Sequence, residues 1–239
     1  PEPEEGEPIL GYTLGRKISR GAFGVVCMAT SVRRDMAPPA ICTGMLVVDK
    51  HKSVRSFGVL MVINAFLGVM ERLNRMPHPN VTRLMQSYSS PTHLYLCLHL
   101  AGPQTLFTRL SQRDTPTAGL PPHALPSAGM QSIAAQISAA ICHLHIEADV
   151  CHRDIKPENV SVSEGEGGRM HVRLFGFELS VVQPKGETCK RACGTMPFVA
   201  PEVILAGKQG HDGKAADMWS LGILLLEIAC GLRSVEWAL

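Results

Sequence analysis

Residues 150–160 of this 239-residue chain bring together three side chains that can do chemistry. The stretch reads Val-Cys-His-Arg-Asp-Ile-Lys-Pro-Glu-Asn-Val, so the carboxylate of Asp154, the ammonium of Lys156 and the amide of Asn159 are close in sequence. A loop of this length can place all three groups around one point. A carboxylate there can act as a general base, and an amide oxygen can bind Mg²⁺. The competing interpretation is a solvated charged loop before a strand, and the flanking segments decide between the two.

The same residues resemble the catalytic loop of eukaryotic protein kinases, His-Arg-Asp-x-x-x-x-Asn, with every fixed position filled. The resemblance implies that Asp154 lies at the attacked hydroxyl as the base, that Lys156 reaches the transferred phosphoryl group, and that Asn159 binds a metal ion. It also implies ATP and Mg²⁺ as cofactors, if any nucleotide binds, and a protein as the substrate or partner.

A second match lies at residues 193–202, Cys-Gly-Thr-Met-Pro-Phe-Val-Ala-Pro-Glu. It resembles the end of the kinase activation segment, Gly-Thr-x-x-Tyr-x-Ala-Pro-Glu. The resemblance implies that Thr195 is a fourth catalytic residue, which bonds the Asp and the Lys of the loop, and it favours the serine/threonine branch. Thr188 is a candidate phosphorylation site, with Arg153 as the cation that would pair with its phosphate.

The nucleotide-binding segment is expected ahead of these motifs. Residues 18–26, Ile-Ser-Arg-Gly-Ala-Phe-Gly-Val-Val, resemble the kinase glycine-rich loop, Gly-x-Gly-x-Phe-Gly-x-Val, whose backbone amides approach the phosphates of ATP. Ser19 replaces the first glycine, and a glycine-containing hairpin is also a common turn. Residues 99–102 resemble the hinge that meets adenine. The expected nucleotide-binding residues are Ile18, Ser19, Gly21, Gly24, Val26, Leu98 and Leu100.

The third strand departs from the family pattern. Residues 41–50 resemble a strand that usually reads Val-Ala-Ile-Lys-Val-Ile-Asp-Lys, and the ending Val-Val-Asp-Lys places Leu46 at the position of the phosphate-binding lysine. The next helix, residues 55–70, contains no acidic residue, and Glu71 is about one turn too late to be the lysine's partner. Two apolar groups can pack where a lone buried charge would be costly. The helix is apolar all round, which indicates burial or a partner surface.

A second departure lies after the catalytic loop. Where the family reads Asp-Phe-Gly, this chain reads Gly176, Phe177 and Glu178, and Val-Arg-Leu-Phe before them fixes the alignment. The resemblance implies that the metal-binding aspartate has become a glycine, whereas Phe177 still packs near His152. Glu178 is a candidate substitute for the metal ligand, and Lys50 for the phosphate ligand.

The composition favours an intracellular, cytoplasmic protein. The net charge of +2 gives no electrostatic case for nucleic acid or an anionic membrane. No basic leader opens the chain, and no apolar run reaches the length of a membrane span. The eight cysteines are scattered, which indicates a reducing compartment, and the pair Cys189 and Cys193 is weak support for zinc.

These matches predict an α+β, two-lobed kinase-like fold. Residues 1–10 are expected to form an acidic, proline-rich tail, residues 11–98 a β-rich N-lobe, and residues 99–239 a helical C-lobe that lacks the family's final helices. In this C-lobe Asp217 belongs to the buried central helix and is expected to bond the backbone of the catalytic loop. The motif Leu-Phe-Thr-Arg-Leu at 106–110 is similar to calcium/calmodulin-dependent kinases.

Three functions remain open from the sequence. The first is a pseudokinase with weak or no phosphoryl transfer that acts as a signalling scaffold or allosteric partner. The second is an active protein serine/threonine kinase that uses Asp154 as base, with Glu178 and Lys50 as substitute ligands. The third is a degenerate gene product without its own stable fold. Because phosphoryl transfer depends on metal and charge around the phosphates, the missing groups favour the first.

Overall fold

The structure is a computed structural model, and it describes residues 5–6, 8–9, 11–20, 24–31, 42–50, 57–111, 127–165, 169–207 and 209–232. In this part of the chain a curled antiparallel sheet comes first and a mainly helical region follows. The predicted α+β, two-lobed architecture is confirmed. The boundary between the lobes after residue 98 stays a prediction.

The first lobe is built on a six-stranded sheet with the order β1-β2-β3-β4-β6-β5. Its strands are β1 (Pro8–Ile9), β2 (Tyr12–Arg20), β3 (Gly24–Ser31), β4 (Cys42–Asp49), β5 (Leu84–Ser89) and β6 (His93–Leu100). Strand β1 lies within the segment predicted as a tail, where Ile9 is buried and pairs with Tyr12. In the middle of the sheet Leu46 pairs with Val26 on one side and with Leu96 on the other.

Helix α1 (Phe57–Arg75) covers one face of this sheet. Its buried residues recur at helical spacing and join Leu46 in one hydrophobic cluster. They are Ile63, Phe66, Val69, Met70 and Leu73. Positions between them, such as Asn64 and Gly68, face away or are only partly covered. The apolar character of this helix was interpreted as burial or as a partner surface. Burial within the lobe accounts for its inner face.

The second region contains the remaining elements. They are β7 (Gln104–Thr105), α2 (Leu106–Ser111), α3 (Ser127–Ile146), β8 (Val150–Cys151), β9 (Val160–Glu164), β10 (Met170–Leu174), β11 (Val181–Val182), α4 (Pro201–Leu205) and α5 (Gly213–Cys230). Short 3₁₀ turns lie at Pro157–Asn159 and Phe177–Leu179. Helix α3 buries Ile133, Ile137 and Ile141, and the hydrophobic cluster runs from the sheet through α3 into Leu224 of α5.

Helix α5 begins with a side-chain cap, because Asp212 accepts a hydrogen bond from the backbone N–H of Lys214. One side of α5 is buried, whereas Met218, Trp219 and Leu226 are each more than two-fifths exposed. Among the residues that the structure describes, none of the helices combines the length and the apolar character that a membrane crossing needs.

Candidate functional site

The four side chains proposed as catalytic converge on one carboxylate. The ammonium of Lys156 lies 2.9 Å from Oδ2 of Asp154 and donates to Oγ1 of Thr195 at 2.8 Å. Thr195 in turn donates its hydroxyl to Oδ1 of Asp154 at 2.7 Å, although 41 residues separate the two in sequence. Nδ2 of Asn159 donates to Oδ2 of Asp154 at 2.9 Å and to its carbonyl oxygen at 2.8 Å. The structure therefore joins all four predicted residues in a single hydrogen-bonded cluster.

Asp217 of α5 holds the start of this loop. Its carboxylate is fully buried and accepts hydrogen bonds from the backbone N–H groups of His152 and Arg153, both at 2.7 Å. Nε2 of His145 in α3 lies 2.9 Å from the same carboxylate. Arg153 has a positive φ of 69°, which is uncommon for a residue with a side chain, so external bonds are needed to fix this backbone. The expected contact between Asp217 and the loop backbone is confirmed.

The ring of His152 links the loop to the segment that follows β10. Its Nδ1 accepts from the backbone N–H of Asp154 at 3.2 Å, so its Nε2 carries the proton and donates to the carbonyl oxygen of Phe175 at 3.0 Å. Burial lowers the pKa of His152, which keeps the ring neutral. The ring of Phe177 packs 4.7 Å from it, centroid to centroid, as the sequence predicts.

Gly176 provides no room for a metal-binding side chain. Its φ of 84° lies in the left-handed region, and a Cβ atom there would lie 2.5 Å from Cγ of Asn159. The amide of Asn159 thus occupies the space into which an aspartate at 176 would extend, while it donates to Asp154. Within the described ranges, no three His, Cys, Asp or Glu side chains gather where a metal ion could bind, and this includes Cys189 and Cys193.

Glu178, the candidate substitute ligand, is directed into the protein. It is 7% exposed and lines a cavity of about 330 Å³ together with Val62 and Ala65 of α1. Burial, with a smaller contribution from the nearby charge of Asp154, raises the pKa of Glu178 to about 7. A carboxyl group in this state is a poor magnesium ligand, because metal binding requires the ionised form.

Replacing Glu178 with glutamine is expected to remove a pH dependence of stability. Between the ordinary pKa of 4.5 and a folded-state pKa of about 7, the folded chain holds a proton that the unfolded chain has released. The free energy of unfolding therefore falls as pH rises through this interval, by about 3 kcal/mol in total. Urea unfolding of both proteins between pH 5 and pH 8 measures the difference.

The comparison with the variant is essential, because burial also lowers the pKa of His99, to about 4, and that group acts in the opposite direction below pH 6.5. Only the difference between the two proteins isolates Glu178. The exposed Glu187 gives a matched control, since Glu187→Gln should leave the pH profile unchanged. A wild-type profile that parallels that of Glu178→Gln would contradict the assignment.

The position that corresponds to the family's phosphate-binding lysine lies in an apolar environment. Leu46 is completely buried in the cluster that contains Phe66 and Met70 of α1. The proposed substitute, Lys50, lies beyond the end of β4, where its ammonium donates to Oγ of Ser89 at 2.6 Å and to the carbonyl oxygen of Ser90 at 2.5 Å. The structure thus commits Lys50 to the turn between β5 and β6 instead of the catalytic cluster.

The hinge groups expected to meet adenine are bonded within the protein. The backbone N–H of Ala101 donates to Oγ of Ser161 at 3.0 Å, and the carbonyl oxygen of Leu100 accepts from Arg173 at 2.9 Å. Thr82 donates its hydroxyl to the carbonyl oxygen of His99 at 2.8 Å. Since an N–H group has one proton to give, Ala101 would have to release Ser161 before it could bind a base.

The apolar residues predicted to line the nucleotide pocket lie together on the sheet. A Cβ atom on Gly44 would lie 2.6 Å from Cδ1 of Leu100 and 3.3 Å from Cγ1 of Val26, so the Leu100 side chain lies against this part of β4. Leu98 is buried beside Gly44, and Ile18 packs at the edge of the same cluster. The other predicted residues are placed as follows: Ser19 pairs with Val26, Gly24 opens β3, and Gly21 lies outside the described residues.

Comparison with known proteins shows the family to which this chain belongs. The family model described as the protein kinase domain matches residues 12–236, and the chain therefore belongs to the protein kinase family. It is 32% identical over 230 residues to CBL-interacting protein kinase 4 of Oryza sativa subsp. japonica, and these residues cover 95% of this chain and 46% of that relative.

Two further relatives agree with this membership. CBL-interacting serine/threonine-protein kinase 7 of Arabidopsis thaliana is 30% identical over 224 residues, which cover 93% of this chain and 47% of that protein. A probable myosin light chain kinase of Dictyostelium discoideum is 29% identical over 221 residues, covering 92% and 56%. The chain spans about half the length of the curated relatives it matches. A serine/threonine-kinase-like domain is what this similarity supports.

Proposed function

We propose that this chain is a pseudokinase, a kinase-fold domain with weak or no phosphoryl transfer that acts as a cytoplasmic signalling scaffold or allosteric partner of another protein. The main support for the proposal is the space beside Gly176 that an aspartate side chain would occupy. The amide of Asn159 fills it and is hydrogen-bonded to Asp154. The amide nitrogen of Asn159 is thereby bonded to Asp154, and position 176 supplies no carboxylate beside them to complete a magnesium site.

The lysine that holds the triphosphate in the family is also missing from its position. Phosphoryl transfer needs preorganised charge around the phosphates far more than covalent help. The lysine position is a leucine in an apolar core, and the buried face of α1 contributes no carboxylate among its described residues. Loss of one such electrostatic group typically costs about 10² to 10³ in rate, and several losses combine in a non-additive way. An ordinary kinase turnover is therefore not expected.

The alternative, an active serine/threonine kinase, draws support from the intact cluster around Asp154. Thr195 and Lys156 hold that carboxylate in the way the family pattern requires of a base. Activity would still need a metal ligand and a phosphate ligand from elsewhere. Glu178 is buried with a raised pKa, and Lys50 is bonded to the β5–β6 turn, so neither proposed substitute is free for the task.

We expect ATP and Mg²⁺ together to leave the melting temperature of the purified chain unchanged, with a cooperative melt. A ligand at one hundred times its Kd would add about 2.7 kcal/mol to the free energy of unfolding, which a thermal-shift titration detects easily. Stabilisation that needs Mg²⁺ and disappears in Asn159→Ala would favour the active kinase. The absence of a cooperative melt would instead favour the degenerate product.

The proposal includes regulation by phosphorylation of Thr188. Thr188 is exposed and lines the same 330 Å³ cavity as Arg153, Lys190 and Arg191. Among the described residues Nε of Arg153 has no hydrogen-bond partner although it is buried, so it retains a donor for an anion. Mass spectrometry of protein isolated from cells tests this part, and Thr188 without modification in every preparation would count against it.

A further inference from the structure

Two cysteine thiols that are far apart in sequence meet at one glutamine. Sγ of Cys151, in β8, donates to Oε1 of Gln183 at 2.9 Å, and Sγ of Cys189 donates to the same oxygen at 3.4 Å. A Cβ atom on Gly213 would lie 2.9 Å and 2.8 Å from the two sulfur atoms. Both thiols therefore lie against the same small volume, which stays open only because residue 213 has no side chain.

The backbone on both sides of this pair is fixed. Cys151 pairs with Val181 in the short ladder between β8 and β11. Cys189 exchanges two backbone hydrogen bonds with His211, each of 2.9 Å. Side-chain rotation is consequently the movement that remains for bringing the sulfur atoms into bonding contact, and disulfide geometry depends on such short backbone separations.

Gln183 is oriented so that its oxygen faces the thiols. Its Nε2 donates to the carbonyl oxygen of Glu187 at 2.7 Å and to Oδ1 of Asp212 at 3.2 Å. Its Oε1 also accepts from the backbone N–H of Gly213 at 2.9 Å. After both thiol protons are lost, this oxygen would keep the Gly213 bond, so oxidation would leave no buried acceptor without a partner.

Cys189 is the member of the pair suited to react first. It lines the 330 Å³ cavity beside Arg153 and Lys190, whereas Cys151 is completely buried. When the Cys151 thiol turns its proton from Gln183 to the sulfur of Cys189, this hydrogen bond lowers the pKa of Cys189; the charge of Arg153 acts in the same direction and burial acts against both. Because the thiolate is the reactive form, oxidant entering the cavity meets the better nucleophile.

We propose that Cys151 and Cys189 form an intrachain disulfide when the protein meets hydrogen peroxide. The bond would join the strand before the catalytic loop to the segment that carries Thr188 and Thr195. The pair is therefore a redox-sensitive modification site, and its chemistry is independent of whether the domain binds a nucleotide. Reversible disulfides of this kind are compatible with a reducing compartment, where they are transient.

The chemistry balances in two steps. The Cys189 thiolate attacks one oxygen of hydrogen peroxide, forming an S–O bond and breaking the O–O bond, and the hydroxide that leaves takes up a proton to become water. The sulfur of Cys151 then loses its proton and attacks the sulfenic acid sulfur, forming the S–S bond and releasing a second water. Two thiols are oxidised, and one peroxide is reduced to two waters.

Peptide mapping of the purified full chain tests the proposal. After treatment with hydrogen peroxide and digestion with trypsin without reductant, the peptide of residues 186–190 should be found linked to the peptide of residues 114–153, and fragmentation should place the bond at Cys151 and not at Cys142. The linked mass is two hydrogens below the sum of the separate peptides, and dithiothreitol should separate them. The oxidised chain should also melt several degrees higher, reversibly, because the cross-link restricts the unfolded state.

Variants distinguish this pair from other thiols. Cys189→Ser should abolish both the linked peptide and the melting shift, whereas Cys193→Ser and Cys142→Ser, at a half-buried and an exposed thiol, should retain both. The proposal is overturned if wild-type protein yields a disulfide through Cys142 or Cys193 as its main product. It is equally overturned if Cys189 accumulates as a sulfenic acid while Cys151 stays reduced.

Discussion

Leu46→Lys is expected to destabilise the domain by about 3 to 6 kcal/mol and to leave ATP unbound, although it restores the residue that the family has at this position. Leu46 is fully buried and belongs to the hydrophobic cluster that also contains Phe66, Val69 and Met70 of α1. An ammonium buried among these apolar side chains would either lose its proton or unfold its surroundings. Urea unfolding measures the loss, and thermal shift with ATP and Mg²⁺ measures binding.

The matched control for this experiment is Leu46→Met, a swap of similar volume that should cost less than about 1.5 kcal/mol. The two variants should also differ in the pH dependence of their stability. The lysine variant should lose stability as pH falls, because the unfolded chain takes up the proton more readily than the folded one. A Leu46→Lys protein as stable as Leu46→Met, with ATP bound, would show that the charged site persists and that the pseudokinase proposal is wrong.

Asp217→Ala is expected to lower the free energy of unfolding by about 3 to 5 kcal/mol. The substitution removes the acceptor of the two backbone N–H groups at His152 and Arg153 and of His145. These donors are buried or nearly so and cannot all turn to water. The left-handed backbone of Arg153 would also lose the bond that stabilises it.

Asp212→Asn provides the control on the same helix. Asp212 caps the first turn of α5, and asparagine is an equally good capping residue, so the free energy of unfolding should change by less than about 1 kcal/mol. Asp217→Asn should fall between the two, because one oxygen can still accept while the amide NH₂ faces a donor. Equal unfolding curves for Asp217→Ala and Asp212→Asn would contradict the structural role given to Asp217.

Much of the fold follows from local pattern. The match of residues 41–50 to the family's third strand predicts β4, and the apolar run at 55–70 predicts α1. The short strand β1 (Pro8–Ile9) was not predicted from the sequence. Two residues in an acidic, proline-rich stretch give no periodicity, and their place is determined by pairing with Tyr12 and Thr13.

The substitute ligands show where reasoning from sequence stops. Glu178 and Lys50 are close in sequence to the positions they were to replace, and sequence distance was the reason for considering them. The structure buries the first beside α1 and bonds the second to the β5–β6 turn. Side-chain direction depends on partners from other elements, which a single sequence does not contain.

The sequence is sufficient to establish which chemical groups the catalytic loop and the segment around Gly176 have and lack. Fixed spacing within one loop places Asp154, Lys156 and Asn159 together, and the flanks of Gly176 establish that a metal-binding carboxylate is missing there. Three contacts become visible only in the folded chain: Asn159 fills the space beside Gly176, Ala101 donates to Ser161, and Cys151 and Cys189 meet at Gln183. The physical reason is that these contacts join separate segments, and their geometry is fixed by packing of the whole core instead of by local spacing.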